Sequence, residues 1–144
     1  MAISPKLTTE NKNGEYLGWG ELSSLLEYKK LEIASHGMSH TPILESAHAR
    51  AEAKESKKAI IENLAVTPRC FVYPYGKFTV EAHKEIKKEF DFVFRIGGAA
   101  NIGWGQEMLY RFSADNVPNP EKMFSAYKKI NYGFKLALNM VRGL

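Results

Sequence analysis

The sequence predicts an α/β fold built on parallel strands, and three observations predict it. Segments of strand character alternate with segments of helix character, the pattern of β/α units rather than of hairpins. Two of the strand segments, "RCFVYPYG" and "DFVFRIGG", are β-branched and aromatic, and a third, "LEIASH", alternates apolar with polar residues. The chain's 144 residues are 44% hydrophobic and 25% charged, which suits one domain with a real core.

The elements follow in order. Residues 1–15 are polar, contain Pro5 and Gly14, and read as an irregular lead-in to a single domain over 16–144. "WGELSSLLEYKK" (19–30) places Leu22, Leu25 and Leu26 at helical spacing. "LEIASH" (31–36) is a strand, and Gly37 and Pro42 mark the loop after it. Residues 44–64 are rich in Ala, Glu and Lys, a long helix by propensity. "RCFVYPYG" (69–76) is a strand that runs into a turn at Pro74 and Gly76. Residues 79–90 form a helix with Thr79 as N-cap. "DFVFRIGG" (91–98) is a strand, "AANIGWGQEM" a loop, and "LYRFSADN" (109–116) a short strand. A last helix begins near Pro120.

Composition excludes several function classes. No apolar run approaches the roughly 18 residues of a membrane span. The N-terminus lacks a basic-then-apolar signal pattern, so we expect a cytoplasmic protein. Cys70 is the only cysteine, which rules out an intrachain disulfide and a cysteine-based zinc knuckle. It sits in an apolar run and reads as a small core residue. Residues 1–118 carry 15 basic and 15 acidic residues, so the net charge of +4 lies in the last segment. That excess is too small to predict a nucleic-acid partner. Over 120–142, Met123, Tyr127, Ile130, Phe134, Ala137 and Val141 form one apolar stripe beside lysines. Packing of the stripe on the domain is the favoured expectation, and peripheral membrane-surface contact the alternative.

In β/α folds the chemistry gathers at the C-terminal ends of the strands. That rule singles out His36 to Pro42 and Tyr73 to Gly76, which should line one crevice. His36 and His40 are four apart, and imidazole nitrogens suit zinc and other divalent ions. A plainer reading has His36 ending a strand and His40 in solvent; the position after a strand and facing another motif argues for the metal. "YPYG" could aim backbone N–H groups into the crevice as an oxyanion-binding turn does. His48 and His83 lie in charged helices and are expected in solvent. Trp19 and Trp104 read first as packing residues.

These stretches, in this order, resemble the polysaccharide deacetylase family (the NodB-homology domain, carbohydrate esterase family 4). "GWGELSSLLEYKKLEIASHGMSHTPIL" is similar to the family's helix, "EI-x-SH" strand and HxxxH motif, and "FVYPYG" to its "FAYPYG" turn. "IGGAANIGWGQEMLYRFSADN" resembles a variable loop ending at an Arg-containing strand, here at Arg111. The resemblance implies a partial distorted (β/α) barrel of NodB-like deacetylase type. It implies hydrolysis of carbohydrate N- or O-acetyl groups, hence of carbon–nitrogen bonds other than peptide bonds. It implies a divalent metal, zinc first, on His36 and His40, and the Tyr75 backbone N–H as oxyanion donor. The acetylated sugar would meet Tyr73, Pro74, Tyr75 and Trp104.

The chain departs from the family pattern in four ways. It has no TFDD motif, which would supply the general base and the Asp ligand. Asp91 opens a strand at the wrong end, and Asp115 is the one plausible substitute. Val72 stands where many members carry an Arg, Gly37 where they carry Ser or Thr, and no Leu-x-His follows, so base and acid stay unassigned. We expect the chain to start beyond the strand bearing TFDD, its helix and the next strand. A truncated domain of weak or no activity alone is therefore expected, with a second copy or a partner chain completing the barrel. The alternative is a non-catalytic carbohydrate-binding or protein-interaction module on the same scaffold.

Overall fold

A computed structural model describes residues 1–11, 13–28, 30–112, 119, 122 and 125–142. Its centre is a parallel sheet of five strands: β1 (Ala2–Ile3), β2 (Ala34–Ser35), β3 (Cys70–Val72), β4 (Phe92–Ile96) and β5 (Leu109–Arg111). The helices are α1 (Pro5–Thr9), α2 (Trp19–Leu25), α3 (Ser46–Leu64), α4 (Val80–Lys87) and α5 (Ala126–Val141). The strands lie side by side in the order in which the chain makes them. Registers such as Ser35↔Phe71, Val72↔Phe94 and Ile96↔Arg111 bring the C-terminal ends of all strands to one rim. Right-handed crossovers in an unreversed order keep their helices on one face. The sheet is therefore the wall of a partial (β/α) barrel, not a doubly wound sheet.

Strand alternation divides the residues between the two faces. Phe71, Tyr73 and Val93 point to the helices and pack with Ala49 and Ala53 of α3 and Ala82 and Ile86 of α4. Ile3, Leu22, Ile33, Ile60 and Leu64 form a second cluster. Cys70, Phe92 and Phe94 belong to the opposite, barrel-interior face, and Cys70 is only partly buried there. The expected cap on α4 is present, with Thr79 Oγ1 accepting from the Ala82 N–H at 3.2 Å. Glu81 in the first turn and Lys84 and Lys87 in the last complement the helix dipole.

Two expectations fail at the N-terminus. Residues 1–15 are not an irregular lead-in, since they contain β1 and α1. A strand also precedes the histidine strand, so the sheet does not begin with β2 as expected. The Ala34 N–H donates to Met1 O, and the His36 N–H to Ile3 O, both at 2.7 Å. Only two residues of β1 pair, too short a run for a periodicity signal. At the other end, residues 113–118 lie outside the described set, so β5 is known as Leu109–Arg111 and Asp115 is not placed.

Phe71 is fully buried, so Phe71→Ala should cost about 3–5 kcal/mol. Thr79→Ala, which removes one cap bond, should cost about 1 kcal/mol. Urea unfolding of the two variants beside the wild type measures both.

Candidate functional site

The site starts from the loop that leaves β2. Ser35 faces the helices, where its hydroxyl donates to Ser56 Oγ at 2.7 Å, so His36 points to the barrel-interior face. His36 Nδ1 lies 2.6 Å from the Val72 carbonyl oxygen at the end of β3. A carbonyl only accepts, so Nδ1 carries the proton and Nε2 of the neutral ring keeps the lone pair. The His40 ring centroid is 4.8 Å from that of His36, with the planes at 61°. The Tyr75 hydroxyl is 3.3 Å from His40 Nδ1. The structure thus brings His36, His40 and Tyr75 together, as expected. His36 and His40 line a cavity of about 240 Å³ with Ser4, Thr8 and Tyr16 of the N-terminal segment.

The loop geometry is held from behind by a residue the sequence reading missed. Glu52 of α3 is buried. Its Oε2 accepts from the Ser39 N–H at 3.0 Å and its Oε1 from the Ser39 hydroxyl at 2.5 Å. Gly37 has φ +76°, and a Cβ there would stand 2.7 Å from Glu52 Oε2. The glycine replacing Ser or Thr therefore makes room for this carboxylate. His40 itself has φ +57°, a left-handed backbone held only because the loop around it is over-determined. Ser39 Oγ, Thr41 Oγ1 and His48 Nε2 continue the chain at 3.0 and 2.9 Å. His48, expected in solvent, is thus half-buried and hydrogen-bonded.

The "YPYG" turn is as strained as the loop it faces. Tyr75 has φ +55°, and its own bonds run from the Gly76 N–H to Tyr73 O and from the Lys77 N–H to Pro74 O. Neither uses the Tyr75 N–H. Tyr75 is 62% exposed. Tyr73 and Pro74, expected to touch substrate, are fully buried instead. The Tyr73 ring stacks on Phe78 at 4.7 Å, and its hydroxyl meets His83 Nδ1 at 3.0 Å. Strand alternation explains this: Tyr73 shares the helix-facing side with Phe71. Burial pushes the Tyr73 phenol far above its ordinary range. His83, also expected in solvent, sits on α4 with its Nε2 buried and without a hydrogen bond among the described residues, 4.0 Å from the Glu107 carboxylate.

Trp104 is exposed but is not part of this site. Its ring meets the edge of Phe92, centroids 5.9 Å apart. Phe92 opens β4, so Trp104 sits at the N-terminal ends of the strands, away from the histidines. Arg111 takes a place the sequence reading did not give it. It ends β5 on the face of Phe94 and Val72, and its Nε is buried with no partner among the described residues. Burial lowers the His36 pKa from its ordinary 6.5, the Val72 carbonyl opposes this, and the charges of His40 and Arg111 add to the lowering. Burial also lowers Arg111. No group of three or more His, Cys, Asp or Glu among the described residues could hold a metal ion. The imidazoles therefore fit two ligands of such an ion and leave the set short of a third.

The sequence model of the family described as "Polysaccharide deacetylase" matches residues 7–92. Among solved structures, the chain is similar to a de-N-acetylase from Aggregatibacter actinomycetemcomitans, with 17% identity and a TM-score of 0.68 over 90% of this chain and 62% of that one. It is similar to IcaB from Ammonifex degensii, at 16% identity and a TM-score of 0.68 over 90% of this chain and 61% of that one. The Streptococcus pyogenes deacetylase PplD, solved in complex with acetate, aligns at 15% identity and a TM-score of 0.67 over 77% of this chain and 51% of that one. The chain thus spans about three-fifths of the first of these structures. Among curated proteins no match is found.

Glu52→Ala should cost about 2 kcal/mol, since it strands the Ser39 N–H and leaves the Ser39 hydroxyl only Thr41 Oγ1. Amide exchange at Ser39 should then speed up. A pH dependence also follows, because burial first of all lowers both His36 and His83 from 6.5. Each group binds its proton more readily unfolded than folded. Stability is therefore full above about pH 6.5 and is lost as pH falls below it. Urea midpoints across that range should fall, and fall less in His83→Gln.

Proposed function

The chain belongs to the polysaccharide deacetylase family, and we propose that it takes part in metal-assisted removal of acetyl groups from a carbohydrate. The observation that carries this reading is the His36 Nδ1 contact to Val72 O at 2.6 Å beside a second imidazole 4.8 Å away. A ligating histidine is usually oriented by such a bond from its other nitrogen. His36 and His40 would hold a divalent ion, with zinc favoured by the imidazole donors. When bound, the ion would polarise the acetyl carbonyl and acidify water.

The chain's own groups have separate tasks. The Tyr75 N–H, outside the turn's own bonds, is the donor for the developing oxyanion. The Tyr75 ring and hydroxyl hold His40 from the solvent side and border the sugar. Arg111 is partly buried, and its buried Nε has no partner among the described residues, so it favours an anion beside His36. A carboxylate supplied from Asp115, from a second copy or from another chain would answer both that guanidinium and the missing ligand position. β1 is an outer strand of the described sheet and could pair with such a chain. No base or acid is assigned among the described residues, and lacking either would cost roughly 10²–10⁴-fold each.

Elemental analysis of the purified protein beside His36→Ala/His40→Ala tests the reading. We expect about one zinc per chain, the usual stoichiometry of a single site, lost in the double variant. An acetyl-sugar hydrolysis assay on the loaded protein then reads the activity. Metal no higher than in the double variant after zinc loading would sink the hydrolase reading and leave carbohydrate binding without catalysis.

A further inference from the structure

We propose that α5 is a membrane-surface helix that lays its outer face on anionic lipid headgroups. The stripe seen in the sequence does not pack on the domain. Tyr127, Ile130, Phe134 and Val141 are 76, 74, 64 and 88% exposed, and Leu138 is 38% exposed. At 3.6 residues per turn these five share one face of the helix with Ala137. Met123 lies outside the described residues. The side of α5 that meets the domain is another one. Leu136 is buried, the Ala100 N–H donates to Tyr132 O at 3.1 Å, and the Asn139 amide donates to the Tyr110 hydroxyl at 3.1 Å. The body therefore already holds α5 by residues roughly opposite the stripe, and the stripe faces outward.

The charges decide what kind of surface suits that face. Between Ala126 and Arg142 there is no acidic residue. Lys128, Lys135 and Arg142 recur every seven residues, so they form one row along the helix, bordering the Tyr127 and Leu138 side of the stripe. All three are exposed. By contrast, α3 pairs its cations across the fold, Arg50 with Glu85 of α4 and Lys57 with Glu89 just beyond α4. An apolar face edged by unopposed cations is the pattern of a helix lying in the interface. The stripe enters the acyl boundary and the cations reach the lipid phosphates. No helix among the described residues is long and apolar enough to cross a membrane, so α5 would lie along the surface.

The test is flotation of the full chain with vesicles of phosphatidylcholine alone and of phosphatidylcholine mixed with phosphatidylglycerol, at low and high salt. We expect binding to the anionic vesicles that weakens with salt and is much weaker on phosphatidylcholine alone. Ile130→Ser/Phe134→Ser should abolish it. Lys128→Gln/Lys135→Gln should cost about fivefold per cation and leave binding to neutral vesicles unchanged. These four side chains are exposed, and circular dichroism checks that the variants stay folded. No flotation on anionic vesicles would overturn the proposal. So would dimerisation that is lost in Ile130→Ser/Phe134→Ser while vesicles stay unbound, since the stripe would then cover a second copy.

Discussion

A carboxylate buried beneath the histidine loop constrains most of what the site can do. Glu52 forms no ion pair among the described residues, so its charge is held by the Ser39 N–H and hydroxyl. A buried anion needs such donors, because removing them leaves it uncompensated. The demand runs backward and forward along the loop. Backward, it excludes a Cβ at residue 37. Forward, it fixes the backbone at Ser39 and so sets the left-handed turn at His40, whose φ is +57°. The placement of the His40 imidazole thus depends on a carboxylate bonded to its neighbour Ser39.

The sheet order supplies the second constraint. Strands added one after another in a single direction keep the helices on one side and free the other for a barrel interior. His36, Val72 and Arg111 come from three different strands or strand ends, yet they converge on that interior at the C-terminal rim. Trp104 follows the C-terminal end of β4 in the chain, but its loop folds back to the opposite rim and rests on Phe92. Sequence proximity to a strand end is therefore a weaker guide than the direction the loop takes.

Much of this was legible in residues with a local cause. Thr79 caps α4 because a hydroxyl at that position meets a free N–H whatever the rest of the chain does. The alternation in β3 and β4 was readable, and so was the pairing of HxxxH with the YPYG turn. Other features depended on distant partners. Tyr73 looks like a site residue next to Pro74 and Tyr75, but strand parity turns it inward to His83. His83 stands among lysines and glutamates, and only the packing of α4 shows that it is buried. Two residues of β1 leave no periodicity to read. Glu52 could have been suspected from its place in the apolar stripe of α3 with Ala49, Ala53, Ser56 and Ile60, where a charged residue needs a partner.

The electrostatics of the site point in one direction. Two imidazoles and a partly buried guanidinium share the interior rim, and burial first of all, then the charges of His40 and Arg111, press the His36 pKa down. A neutral imidazole is the form that ligates a metal, so this pressure on His36 would favour the proposed ligation. A bare dication would nonetheless meet Arg111 as a like charge. Its attraction to two neutral rings must compete with that repulsion in a partly buried setting. On the proposed reading an added carboxylate would reverse the balance, because it would screen the guanidinium and complete the ligand set together. If the proposed metal binds, its affinity and the supply of that carboxylate would therefore be coupled, and the coupling would run through Arg111 as well as the histidines.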